Sequence, residues 1–180
     1  MVNGMRHAIV VMFAACGAVA SATSFIPTDV SELAREARAI ARGRVVAVEP
    51  RWSDDRRRID TLVTLETERF LKGGLGSTVQ FVVPGGRLGR YRSIVVGAPR
   101  FEPGERVIVF LAGSVPSLPH VIGLSQGLFR VVQETDGWKV TPPPVLAGGD
   151  ARIVRGDPAR RPMALDVFER QVHELVENSR

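Results

Sequence analysis

Cysteine is nearly missing from this chain of 180 residues: Cys16 is the only one, and there are just three histidines, two tryptophans and one tyrosine. Cys16 sits in an N-terminal apolar stretch, so the rest of the chain can form no disulfide, no thiolate nucleophile and no cysteine zinc site. The histidines are His7 near the N-terminus, His120 beside Pro119 and His173 near the C-terminus, and no two stand at ligand spacing. No metal site and no cofactor are therefore predicted. Long apolar runs are also lacking: residues 8–19 are too short to span a bilayer comfortably, and no later segment does better. Lysine is almost absent too, with only Lys72 and Lys139 among the 24 basic residues, so arginine carries the positive charge.

What is present begins with a leader. Arg6 and His7 precede the apolar run, and Ala20-Ser21-Ala22 supplies small residues for cleavage, which reads as a signal peptide over residues 1–22. The mature chain is then extracytoplasmic, periplasmic or secreted. Phe13-Ala14-Ala15-Cys16-Gly17 resembles a bacterial lipobox, and lipidation of Cys16 is the one route by which a membrane anchor would arise. Loss of Arg6 with the leader leaves 23 basic against 19 acidic residues, net +4. That balance suits an anionic envelope component or an acidic partner protein, while export argues against nucleic acid.

Residues 25–180 read as one domain, and the whole chain's 44% hydrophobic content is enough to bury a core. Asp29 and Glu32 have capping spacing, and Val30, Leu33, Ala37 and Ile40 recur on one face, predicting a helix over residues 30–41 stopped by Gly43. Strands follow. RVVAVE and the alternating stretch through Val63, Leu65 and Thr67 flank the polar turn at 53–56, and Phe70 falls on the wrong parity, predicting a bulge near Arg69. TVQFVV places Val79, Phe81 and Val83 on one face; another strand is expected over residues 92–96. Residues 106–111 are apolar without alternation, as in a strand covered on both sides. Asp136-Gly137 marks a hairpin, and Pro142 to Pro144 end the sheet. Leu165, Phe168, Val172, Leu175 and Val176 form an amphipathic stripe over residues 162–178. Many short strands with helices only at the ends predict a mainly β, OB-like antiparallel barrel over residues 43–145, with an N-terminal helix and a C-terminal amphipathic helix.

Four features invite a chemical reading. Gly123-Leu124-Ser125-Gln126-Gly127 fits the G-x-S-x-G pattern of a nucleophile elbow, and Asp166 and His173 would complete the order of a triad. An elbow needs a strand turning into a helix, whereas Ser125 is followed by the strand-forming Leu128-Phe129-Arg130-Val131-Val132. The expected role of Gly123 and Gly127 is a bulge or tight bend, and no catalytic residue is predicted. Glu66 and Glu68 lie roughly 7 Å apart along one strand, within glycosidase range, but no aromatic cluster accompanies them to hold a sugar. The glycine stretches at 73–76 and 85–89 lack Walker spacing and a following helix. The basic run Arg87, Arg90, Arg92 and Arg100, free of acidic residues and containing Tyr91, is the best candidate binding feature. Alternation would set Arg90 and Arg92 on one strand face, where guanidinium groups suit carboxylate, sulfate or phosphate. Trp52, beside Arg56, Arg57 and Arg58, is a further candidate contact.

Ala41-Arg42-Gly43-Arg44-Val45-Val46, Glu68-Arg69-Phe70-Leu71-Lys72-Gly73 and residues 101–111 resemble a set of small exported bacterial proteins of unassigned function. More distantly, residues 39–140 are similar to netrin-type OB barrels, the fold of tissue inhibitors of metalloproteinases. The resemblance implies an OB-like barrel with a binding or inhibitory role. The inhibitors' N-terminal cysteine, which chelates zinc, has no counterpart here. The expected function is an exported, non-enzymatic module that binds a protein or an anionic envelope component. The alternatives are a small serine hydrolase using Ser125, and an accessory or inhibitory subunit of another exported protein such as a protease, docking through the C-terminal stripe.

Overall fold

The computed structural model describes residues 28–113, 116–143 and 161–179. The predicted leader, the cleavage site expected at Ala22, Cys16 and Pro144 lie outside these residues. Asp29 caps helix α1 (Val30–Glu36): its Oδ1 accepts from the Glu32 backbone N–H at 2.7 Å and from the Ser31 hydroxyl at 2.6 Å. At the other end Lys72 Nζ donates to the carbonyls of Ala34 (2.7 Å) and Arg35 (3.1 Å), groups that have no partner inside the helix. Burial pushes this ammonium below the usual lysine range.

The helix is shorter than its apolar spacing predicts. Ala37 is already extended, and strand β1 (Ala39–Trp52) takes over Ile40, Ala41 and Gly43. Ile40 keeps the helical period because the strand directs it into the same core that Leu33 and Ala37 enter. Gly43 does not stop a helix. A Cβ there would lie 2.2 Å from the Glu66 carbonyl oxygen, so glycine permits close approach of the neighbouring strand β2 (Ile59–Lys72). The predicted bulge occurs at Glu68, where Arg42 faces Arg69 and Gly43 faces Thr67.

Five strands pair in a closed cycle. β1 runs antiparallel to β2, and β2 to β3 (Thr78–Pro84). β3 meets β7 (His120–Val121) in parallel, β7 is antiparallel to β6 (Arg106–Ala112), and β6 returns antiparallel to β1. Between β3 and β6 the chain makes an excursion holding a hairpin of its own, β4 (Gly86–Leu88) and β5 (Tyr91–Ser93). Beyond the cycle, β8 (Leu128–Glu134) pairs with β6, β9 (Gly137–Thr141) with β8, and β10 (Met163–Ala164) with β9. β10 leads into helix α2 (Leu165–Glu177).

The residues of β6 explain why two cores form. Val107, Val109 and Leu111 join Val45, Val63, Leu65, Val79 and Phe81 within the five-stranded cycle. Ile108 and Phe110 point the other way and meet Phe129, Leu33, Phe168 and Val172 under the two helices. The strand is thus buried on both faces, as its unbroken apolar run predicts. The C-terminal stripe is occupied by the chain's own core, because Phe168, Val172 and Val176 are buried in that second cluster.

A candidate binding groove at one end of the five-stranded cycle

The β1–β2 loop, the end of β3 and the excursion all lie at one end of the cycle. The base of the excursion is fixed by backbone contacts. Gly85 N–H donates to the Ile59 carbonyl at 3.0 Å, and the buried Thr61 hydroxyl donates to the Gly85 carbonyl at 2.7 Å. Gly86 has φ 149°, and a Cβ there would lie 2.7 Å from Thr61 Oγ1, so the turn needs glycine. The return limb is held by Phe101 edge-on to Phe81 at 5.3 Å, by Arg130 Nη2 donating to the Arg100 carbonyl at 2.9 Å, and by Gly104 N–H donating to the Val45 carbonyl at 2.8 Å.

Between these anchors is a groove of about 330 Å³. Val48, Val83 and Phe101 form part of its apolar lining, Ile94 and Val95 line it from the excursion, and Arg87, Arg92, Arg100 and Glu102 supply charge. Arg87 and Arg92 are direct cross-strand partners in the β4–β5 hairpin. The expected strand over 92–96 is not formed. It ends at Ser93, after which the Ala98 N–H closes a turn on the Val95 carbonyl at 3.1 Å, and Ile94, Val95 and Val96 are left exposed. Arg90 does not share a strand face with Arg92. Gly89, at φ 58°, opens a two-residue turn that contains Arg90 and sets Arg92 opposite Arg87 instead.

Trp52 and Tyr91 join the excursion to the β1–β2 loop, their rings 5.4 Å apart and inclined by 63°. Arg90 Nη2 donates to Tyr91 Oη at 2.9 Å, with its guanidinium 5.0 Å from the ring centroid. The loop beyond Trp52 is tightly bonded. Ser53 Oγ donates to Asp55 Oδ1 at 2.6 Å and accepts from Arg58 N–H at 3.1 Å, while Arg56 adopts φ 54°. The Ser53 hydroxyl, then the Arg57 N–H, hold the Asp55 carboxyl below its usual range. All six residues singled out from the sequence therefore border one end of the molecule. Among the described residues no carboxylate pairs with Arg87, Arg90, Arg92 or Arg100, whereas Arg42, Arg58, Arg69, Arg106 and Arg130 each have one.

Ser125 belongs to a 3-10 turn, Leu124–Gly127, which follows Gly123 in the left-handed region and passes directly into β8. Its backbone N–H donates to the Gly97 carbonyl at 2.9 Å, and Gln126 Oε1 accepts from the Thr28 N–H at 2.7 Å. A Cβ on Gly127 would lie 2.7 Å from the Ile122 carbonyl oxygen. The motif thus clips the excursion and the start of the domain to β6 and β8. Asp166 and His173 are exposed on α2, where they pair with Arg170 (3.3 Å) and Glu177 (3.1 Å). Glu66 is exposed, and Glu68 is engaged with arginines, so the two carboxylates form no isolated pair. Among the described residues no three His, Cys, Asp or Glu side chains converge as metal ligands.

One cluster escaped the sequence reading. Glu169 of α2 accepts from Arg42 at 2.6 Å and Arg69 at 3.1 Å, while Glu68 accepts from Arg106 at 2.8 Å. Arg42 Nε lies 3.2 Å from Glu68 Oε2, close enough for an ion pair but out of line for a hydrogen bond. Arg106 covers the Trp138 ring at 4.5 Å. A larger cavity, about 430 Å³, opens beside Arg69, Glu169 and His173. Its two arginines are already paired, Arg69 with Glu169 and Arg170 with Asp166, which makes it a weaker anion site than the groove, whose arginines have no carboxylate partner among the described residues. Comparisons with protein-family models, curated proteins and solved structures return no match.

Proposed function

We propose that the chain is an exported, non-enzymatic binding module on an OB-type barrel, and that its groove receives an anionic partner. The order of the five-stranded cycle supports the barrel: taken in chain order, its first, second, third, fifth and fourth strands are neighbours and the last closes on the first. OB barrels bind through the second and third strands and the adjoining loops, and the groove borders both strands and lies at the end that bears the first of these loops. The observation that carries the reading is the convergence of Arg87, Arg92 and Arg100 on an apolar groove, with no carboxylate partner for any of them among the described residues. An unpaired guanidinium group has its planar donor fork available to a ligand.

A photo-crosslinking residue at Ile94, in cells expressing the full chain, tests this reading. The expected result is a discrete adduct that weakens in a variant with Arg87, Arg92 and Arg100 changed to Ala, and whose complex dissociates as ionic strength rises. An adduct indifferent to both changes would remove the arginines from the account. Mass spectrometry of the mature N-terminus decides between cleavage after Ala22 and lipidation of Cys16. For Ser125, a fluorophosphonate probe should leave the protein unlabelled; labelling lost in Ser125→Ala would establish the hydrolase alternative.

A further inference from the structure

We infer that the groove takes an extended acidic segment of a partner protein, with an aliphatic or aromatic side chain seated in the groove and a neighbouring carboxylate held between Arg87 and Arg92. This rests on the groove being the binding site, and it names what binds there.

Three observations favour such an occupant. First, Arg87 and Arg92 stand directly opposite one another in a hairpin of only three paired positions. Like charges in that arrangement repel, and an isolated two-stranded hairpin is marginal, so an anion between the guanidinium groups removes a standing penalty. Second, Glu102 lines the same groove. Its carboxylate would oppose a dianionic phosphate more than a singly charged carboxylate, which the arginine fork binds in a bidentate manner. Third, the apolar surface extends past the groove. Trp52, Tyr91, Ile94, Val95 and Val96 make up five of the nine exposed large hydrophobic residues among those described, with Ile94 70% and Val96 60% exposed. An inorganic ion would leave them in water, while a polypeptide laid across the groove would cover them. Trp, Tyr and Arg around an apolar centre are also the residues that concentrate binding energy at protein interfaces. An anionic membrane would satisfy the charges and the exposed aliphatic residues, but it has no use for a concave groove lined by Val48, Val83 and Phe101.

The test is selection of random dodecapeptides displayed on phage against the mature chain, against its Arg87→Gln/Arg92→Gln variant, and against Arg170→Gln as a charge control on α2. Selected peptides should carry an aliphatic or aromatic residue with Asp or Glu within two positions. Their affinity should fall about tenfold or more when either feature is replaced, and equally in the double variant. Arg170→Gln should leave it unchanged. Circular dichroism of the double variant should match the parent, since both side chains are exposed. Enriched peptides lacking the carboxylate or the apolar residue would overturn the inference, as would no enrichment at all. Anionic phosphatidylglycerol vesicles form a separate arm. If they bind in an Arg87- and Arg92-dependent way while peptides do not, the groove remains an anion site and the peptide assignment falls. If neither binds, both readings fall.

Discussion

Thr61 and Gly43 show how single atoms position the groove. The Thr61 hydroxyl is buried and bonded to the Gly85 carbonyl at the base of the excursion. Thr61→Val should cost about 1–3 kcal/mol by leaving that carbonyl unpaired, read by urea denaturation, and should weaken partner binding although Thr61 bears no charge. Gly43→Ala should cost about 3 kcal/mol or more, because a methyl group 2.2 Å from the Glu66 carbonyl oxygen forces β1 and β2 apart. Asp29 offers a pH-dependent test. The Ser31 hydroxyl, then the Glu32 N–H, hold its carboxyl below the ordinary value of 3.8. A lowered folded-state value means the stabilisation is present above pH 3.8 and is lost as pH falls through the lower folded value. Asp29→Ala should therefore be about 1 kcal/mol less stable than the parent at neutral pH, with the gap closing in acid. The Asp29 cap was legible because a cap is a local pattern. The role of Gly43 was not, since its reason is a carbonyl on another strand.

Among the elements, β2 and β3 were legible because their side chains alternate within one segment, and the β8–β9 hairpin because Asp136-Gly137 marks its turn. The β3–β7 closure was not, because it rests on one parallel pair, Val82 with His120, plus the Val82 N–H donating to the Pro119 carbonyl at 2.9 Å. The segment at 94–96 misled because Ile-Val-Val has strand propensity, yet the excursion supplies no neighbouring strand to pair with it. Arg92→Glu should strengthen the β4–β5 hairpin by turning a like-charge pair into an attractive one, while reducing partner binding; hydrogen exchange of the hairpin amides would show the first effect and a binding titration the second. α2 is fastened by ion pairs the sequence could not reveal, since Glu169 is 100 or more residues from both Arg42 and Arg69, which face each other on β1 and β2. Glu169→Ala should cost about 2 kcal/mol or more by leaving the half-buried Arg42 without its closest partner, measured by denaturation.

For the whole molecule, two cores share one strand. β6 feeds alternate side chains to the interior of the five-stranded cycle and to the layer beneath α1 and α2. Removing the chain from Pro162 onward would uncover Phe110, Phe129 and Ile108, so it should unfold the domain rather than merely release a docking helix. The sequence predicted this double burial from the apolar run of β6, and the acid-free run of arginines around Tyr91, with Trp52 beside another arginine cluster, drew attention to the residues at the groove. The excursion that gathers them depends on Thr61, Gly85, Gly86 and the 124–127 turn, residues whose partners are remote in sequence. Hydrogen–deuterium exchange of the chain, free and with a crosslinked partner or selected peptide bound, locates the binding surface. Slowed exchange is expected across residues 85–102 and at Trp52, with α2 and β8–β9 unchanged. Protection confined to α2 or the β8–β9 hairpin would contradict it.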